Sequence, residues 1–323
     1  MKFRLLTTAV LFLLLLGCTK ENDTGSDSKS WKTLAPLPTA RHDFGLVECN
    51  NLLYAIGGYN ADGLNKVEAY DPSSDKWTTK AAMPTGRAYL VVATVGNKIY
   101  AIGGITGGDL NNVSYLKNTE EYNPASDSWT EKSPIPITAI PFNSVLGNFF
   151  LTGAAINGKI YVAVGYTEGD IPTYIYDPAT DTWTTGKSIS NFNLEPYYSA
   201  ASDNDLYVTN GDHLLQYVTS DDSWRELPLP TDPAYNMCLS FYNGNLYGIG
   251  GLQPGVDNPS DLADLQIFDP ATSTWSMGSL LNKARNAAAA VVYNDSLYVA
   301  GGAAIQPNFS NIPIADFEVY SLK

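Results

Sequence analysis

Strand-length apolar runs that end on glycine recur along the chain, each separated from the next by polar residues. Leu53 to Gly58, Ile99 to Gly104, Leu246 to Gly251 and Leu297 to Gly302 read aliphatic-Tyr-x-x-Gly-Gly. Ile160 to Gly165 and Leu206 to Gly211 repeat the phrase with Val164 and Asn210 in the first glycine place. Runs this short, with no sustained helical period between them, predict an all-β chain of many short strands. A glycine pair at a strand end permits unusual φ and close backbone approach, as crowded wedge-shaped sheets require.

A second spacing follows the first. Tyr70/Trp77, Tyr122/Trp129, Tyr176/Trp183, Tyr217/Trp224 and Phe268/Trp275 each lie seven residues apart. Asp71-Pro72, Asn123-Pro124, Asp177-Pro178 and Asp269-Pro270 fall inside four of these intervals, and the remaining one keeps polar Thr219 to Ser223. Pro presets the second turn position and the preceding Asp or Asn caps it, so each interval predicts two strands joined by a tight turn.

Glycine pair, Tyr, Asp-Pro and Trp, repeated at roughly 50 residues, match the composition of a four-stranded kelch blade. From about Ser30 to Lys323 the chain resembles the kelch family. The resemblance implies a six-bladed β-propeller in which the repeated Trp and Tyr pack between blades rather than bind a ligand. Trp31 has no Tyr before it, and the last unit, through Phe317 to Tyr320, has no Trp after it. Ser30 to Leu34 is therefore expected to supply the missing strand of the last blade, closing the ring and removing an open edge.

Composition adds the boundaries. With 27 Gly, 19 Pro and 12% aromatic residues in 323, many short strands and turns are favoured over helices, and blades arranged around an axis let one repeat domain reach this length. Residues 1–17 stand apart. Lys2 and Arg4 precede an apolar run from Leu5 to Leu16, which reads as an export signal. Leu15-Leu16-Gly17-Cys18 resembles the lipobox of bacterial lipoproteins, which implies cleavage before Cys18 and lipidation of its thiol. Residues 18–29 are polar and acidic and read as a flexible tether. Together these imply a lipid-anchored protein of the bacterial outer membrane, at the cell surface in preference to the periplasmic face.

The formal charge of -14 argues against nucleic acid as a partner. Cys49 and Cys238 fall on the first strands of blades one and five, which are not neighbours, so both are expected as buried free thiols.

Candidate chemistry lies where the repeats differ. Arg41, Arg87 and Arg285 lead into blades one, two and six, while Asn143, Glu195 and Asn236 hold roughly the same place in the others. Three arginines on one side of the mouth would form a clamp for a carboxylate or phosphate. The structural alternative is that each Arg bonds backbone carbonyls and acids of a neighbouring blade. Long segments after the glycine pairs in blades two, five and six offer further contacts from Asn111, Asn112, Asp257 or Asn308.

Catalytic signatures are sparse. The two histidines, His42 and His213, fall on opposite blades, away from the Cys and Tyr that kelch copper oxidases use, and no metal or cofactor set is expected. The reading is a binding module for a glycan or an envelope protein. The alternative implied by family resemblance is a carbohydrate-acting enzyme such as an N-acetylneuraminate epimerase (mutarotase), with Glu195 as its acid/base.

Overall fold

The computed structural model describes residues 29–107, 114–137, 151–164, 171–189, 198–253, 259–308 and 310–323. Within them lie six four-stranded antiparallel sheets, with strands in sequential order from the axis outward in five of them. Blade one is Gly45–Cys49, Leu52–Ile56, Val67–Asp71 and Lys76–Thr79, and blade two begins at Val91–Val95. The inner strands of blades three to six are Leu151–Ile156, Tyr198–Ala201, Cys238–Tyr242 and Ala289–Tyr293. Each inner strand packs against the next, and that of blade six packs against that of blade one. The fold is a closed six-bladed propeller.

Closure uses the strand expected for it. Lys32–Thr33 pairs antiparallel with Phe317–Ser321 and becomes the outer strand of blade six, with Lys32 opposite Val319 and Thr33 opposite Glu318. Trp31 is buried and stacks 5.2 Å from Tyr320, so this pair from opposite chain ends reproduces the Tyr–Trp pairs of the other blades.

The seven-residue spacing has a direct cause. Tyr70 and Trp77 are register partners across a hairpin, as are the Tyr or Phe and Trp of blades two to five. Between them the predicted caps are in place: Asp71 accepts the amide of Ser73 at 2.8 Å, and Asn123, Asp177 and Asp269 make the same bond two residues on. Each indole then reaches back to the linker before its own blade. The Nε1–H of Trp77 donates to Ala35 O, that of Trp129 to Ala81 O, and that of Trp183 to Ser133 O, at 2.8–2.9 Å.

A carboxylate completes this clasp. Asp75, Asp127, Asp181 and Asp222 sit in the left-handed region at the hairpin turns. Each accepts the hydroxyl of the blade's own Tyr, and also a backbone amide of the preceding linker: Ala35, Ala81, Ser133 and Lys187. These bonds hold the four carboxyls below their usual pKa. In blade five Phe268 has no hydroxyl to give, and Ser273 stands in the Asp place. Donor and acceptor are missing together, which avoids an unmet polar group.

The core is distributed between blades rather than gathered at one centre. Tyr54 of blade one meets Tyr122 of blade two edge-on at 5.9 Å, and Tyr100 meets Tyr176 of blade three in the same way. The repeated aromatics are thus consumed in holding blades together. Cys49 and Cys238 are free and buried, as their non-adjacent blades required.

Candidate functional site

The lead-in residues decide what the mouth of the channel presents. Arg41, Arg87 and Arg285 are fully buried. The guanidinium of Arg41 pairs with Glu68 on the third strand of its own blade at 2.6 Å and donates to the carbonyls of Gly57 and Lys66. Arg87 does the same with Glu120, Gly103 and Asn118, and Arg285 with Glu318, Gly301 and Asp316. Burial pulls all three guanidinium pKa values down while the paired Glu opposes it. The partners belong to each Arg's own blade, not to a neighbour.

The arginine backbone, by contrast, ties adjacent blades. Gly58 donates to Arg87 O, Gly251 to Arg285 O and Gly302 to Arg41 O, all at 2.9 Å. A Cβ on Gly57, Gly250 or Gly301 would lie 2.4–2.7 Å from those same carbonyls, so the glycine pair is fixed by the arginine of the next blade. The three guanidinium groups therefore do not form an open anion clamp. Their donors are turned into the blade, where a carboxylate and carbonyls meet them.

Two residues beyond each arginine the chain turns toward the axis. Asp43, Tyr89 and Ala287, with Asn236 in blade five, share a left-handed φ of 51–53°. Their backbones form a belt from blade to blade: Ala287 N donates to Asn236 O, Asp43 N to Ala287 O, and Tyr89 N to Asp43 O, at 3.0–3.1 Å. The belt places Asp43 and Tyr89 in the channel with Thr152, Tyr198, Ser199 and Cys238 around about 120 Å³ of space.

Inside that space the side chains are joined. Tyr198 of blade four donates its hydroxyl to Asp43 Oδ1 of blade one at 2.9 Å. Asp43 Oδ2 lies 2.5 Å from Nδ1 of His42, and both of those side chains are about 93% buried, at 7% exposure each. Burial, with Asp43 and Tyr89 nearby, pushes the Tyr198 hydroxyl well above its usual pKa. Thr152 and Ser199 bridge blades three and four at 2.7 Å. Burial also pushes the Cys238 thiol up to about 12, so it is an inert wall rather than a nucleophile.

Residues 40–84 and 86–136 match the family profile described as Kelch motif, and these segments cover the first two blades with their Arg–Glu pairs. The chain is a six-bladed β-propeller that carries kelch motifs in its first two blades. It is 28% identical over 232 residues to beta-scruin of Limulus polyphemus, covering 64% of this chain and 24% of that protein. It is 29% identical over 154 residues to human Kelch-like protein 23, covering 44% of this chain and 27% of that protein. The chain thus spans about a quarter of the length of these curated relatives. Among solved structures, YjhT superposes with a TM-score of 0.71 over 89% of this chain and 97% of its own, at 17% identity, a likeness of fold.

In this propeller, Asn143, Glu195, Asn111, Asn112 and Asp257 lie outside the described residues, as does Cys18. Asn236 belongs to the belt and is half-buried. Asn308 accepts the amide and hydroxyl of Ser310 and so holds its own turn. Rim ribbons do rise beyond the glycine pairs, at Ile105–Thr106 with Ser114–Tyr115 and at Ala303–Ile305 with Asn311–Pro313. What the repeat comparison missed is Asp43. It sits two positions after the arginine, where Tyr89 and Ala287 share its backbone but not its chemistry, and the His42-Asp43 pair was the signal available.

Proposed function

We propose that this kelch propeller is a lipid-anchored protein of the bacterial outer membrane that binds a glycan or an envelope protein on its channel face. The observation that carries the reading is the Tyr198–Asp43 bond across the channel. It leaves a cavity of about 120 Å³, whereas sites that engulf a small-molecule ligand enclose roughly 300 Å³ or more. A ligand of sugar size rests on the mouth, against the rim ribbons and the outer edge of Tyr89, instead of entering the channel. The phenol ring and the backbone of the rim ribbons suit the hydroxyls and amides of a glycan or a polar peptide.

A glycan array and an envelope-extract pull-down with the domain beginning at Ser30 test the reading. Binding that is weakened by Tyr89→Ala supports it, and the absence of any bound glycan or envelope protein overturns it.

One observation favours a second reading. Tyr198, Asp43 and His42 form a continuous hydrogen-bonded chain of buried polar side chains in the channel, the kind of array that moves protons. For a carbohydrate-acting enzyme such as an N-acetylneuraminate epimerase, anomer exchange of the free sugar followed by NMR would be accelerated and would fall in Asp43→Asn or Glu195→Gln. Exchange at the uncatalysed rate removes this reading and leaves the binding one.

A further inference from the structure

Blade five departs from the Arg–Glu rule in a way that leaves a site behind. Ala234 stands in the place of Arg41, Arg87 and Arg285, two residues before the left-handed belt position. Gln266 stands in the place of Glu68, Glu120 and Glu318, two residues before the aromatic that pairs with Trp. Its Nε2 donates to Asp232 O at 3.0 Å, the carbonyl equivalent to Thr39 O and Lys283 O, which receive the arginine Nε in blades one and six. The amide therefore takes over one arginine bond. Its Oε1, on a side chain only 2% exposed, has no hydrogen-bond partner.

Beside it is a cavity of about 200 Å³, lined by Thr231, Asp232, Asp264, Gln266, Trp275 and Met277. Its chemistry is one-sided. Two carboxylates and an unmet amide oxygen accept hydrogen bonds, the half-buried Trp275 offers a ring that attracts cations, and Met277, 61% exposed, gives apolar surface for an aliphatic stem. A liquid water occupies about 30 Å³, so the space holds a guanidinium and part of its chain. Blades one, two and six show the same framework satisfied by a guanidinium from within the chain.

We propose that this cavity in blade five binds an arginine side chain of a partner polypeptide, which supplies in trans the guanidinium that Ala234 lacks. Arginine is favoured over lysine because several acceptors converge from different directions, and a planar group with five donors meets more of them than an ammonium does. The site lies on the outer side of the blade, apart from the channel that Tyr198 and Asp43 close, and it engages a partner independently of anything held at the mouth.

Calorimetric titration of the full chain with the peptide acetyl-Gly-Arg-Gly-amide, against the same peptide carrying neutral citrulline, tests the proposal. The arginine peptide is expected to bind at least about tenfold tighter. The double variant Ala234→Arg/Gln266→Glu rebuilds the ion pair of the other blades and should abolish binding while keeping the melting temperature. If that variant does not fold, Gln266→Leu removes the unmet acceptor alone and should weaken the arginine peptide by about tenfold. Equal affinity for both peptides, no binding of either, or unchanged affinity in a folded plugged or Gln266→Leu variant overturns the assignment.

Discussion

Tyr198 and Asp43 face one another from opposite blades and are hydrogen-bonded across the axis at 2.9 Å. Blades one and four stand opposite one another in the ring of six, so this bond is a strut through the channel. The acceptor is a carboxylate whose side chain is about 93% buried, which places the bond among the stronger protein hydrogen bonds. Tyr198→Phe is expected to cost about 1.5–3 kcal/mol in urea unfolding. An unchanged midpoint would show that the strut carries no stability.

The buried ion pairs make an asymmetric prediction. Arg87→Ala strands Glu120 in the blade and should destabilise by about 3–5 kcal/mol. Arg87→Ala/Glu120→Gln reproduces the Ala234–Gln266 arrangement that blade five already tolerates. That double variant should recover more than about 1 kcal/mol of the loss in the same unfolding assay, since a neutral amide costs less to bury than a lone carboxylate. A double variant as unstable as the single one would mean that Glu120 is not the source of the cost.

Ring closure rests on Trp31. Its indole donates to Ser279 O at 2.9 Å, its carbonyl accepts from Asn282 at 3.2 Å, and Leu34 N bonds Phe317 O at 2.9 Å. Trp31→Ala should cost about 3–5 kcal/mol, and deletion of Ser30 to Leu34 should lower the melting temperature further by exposing the edge of Phe317–Ser321. A small change from the deletion would show that the ring holds without its velcro.

Alkaline pH should weaken the fold before any ligand is considered. Burial raises the Cys49 thiol to about 11 and the Cys238 thiol to about 12, and raises Tyr54 and Tyr207 to about 12, with Tyr70, Tyr122 and Tyr176 also pushed up. Their ordinary values are 9.0 for the thiols and 10.0 for the phenols. Between about pH 9 and 11 the unfolded chain loses protons that the native chain keeps, so stability falls as pH rises through that window. Melting temperature should drop from pH 8 to pH 10.5, and phenolate absorbance of the native protein should lag behind that of the denatured chain. Full titration near pH 10 with the fold intact would contradict the burial argument.

The membrane anchor has its own test. Growth with radiolabelled palmitate should label the wild-type protein and not Cys18→Ser, and the variant should leave the membrane fraction. Equal labelling of the two would place any lipid elsewhere.

Much of the architecture was legible because repetition amplifies weak signals. A single Tyr seven residues before a Trp means little, but five such pairs, each a register partner across a hairpin, specify the strand pairing. Unpaired Trp31 and Tyr320, far apart in the chain, pointed at one another for the same reason. The site was harder to read. Arg41, Arg87 and Arg285 recur at one position and resemble a clamp, yet the glutamates that occupy them lie 27–33 residues downstream, one per blade, within strands whose facing is set by register.

Sequence alone determined the blade count, the turn chemistry, the closure strand and the structural role of the repeated aromatics, because each depends on local spacing repeated many times. Tertiary structure decided everything that depends on who meets whom across the ring. It turned three arginines inward, joined Tyr198 to Asp43 over 155 positions of sequence, and left Gln266 beside a cavity in blade five, where Ala234 stands in the arginine place. The Tyr198–Asp43 pairing occurs once, between residues with no periodic signature, and only the closed geometry of the ring brings them within hydrogen-bonding distance.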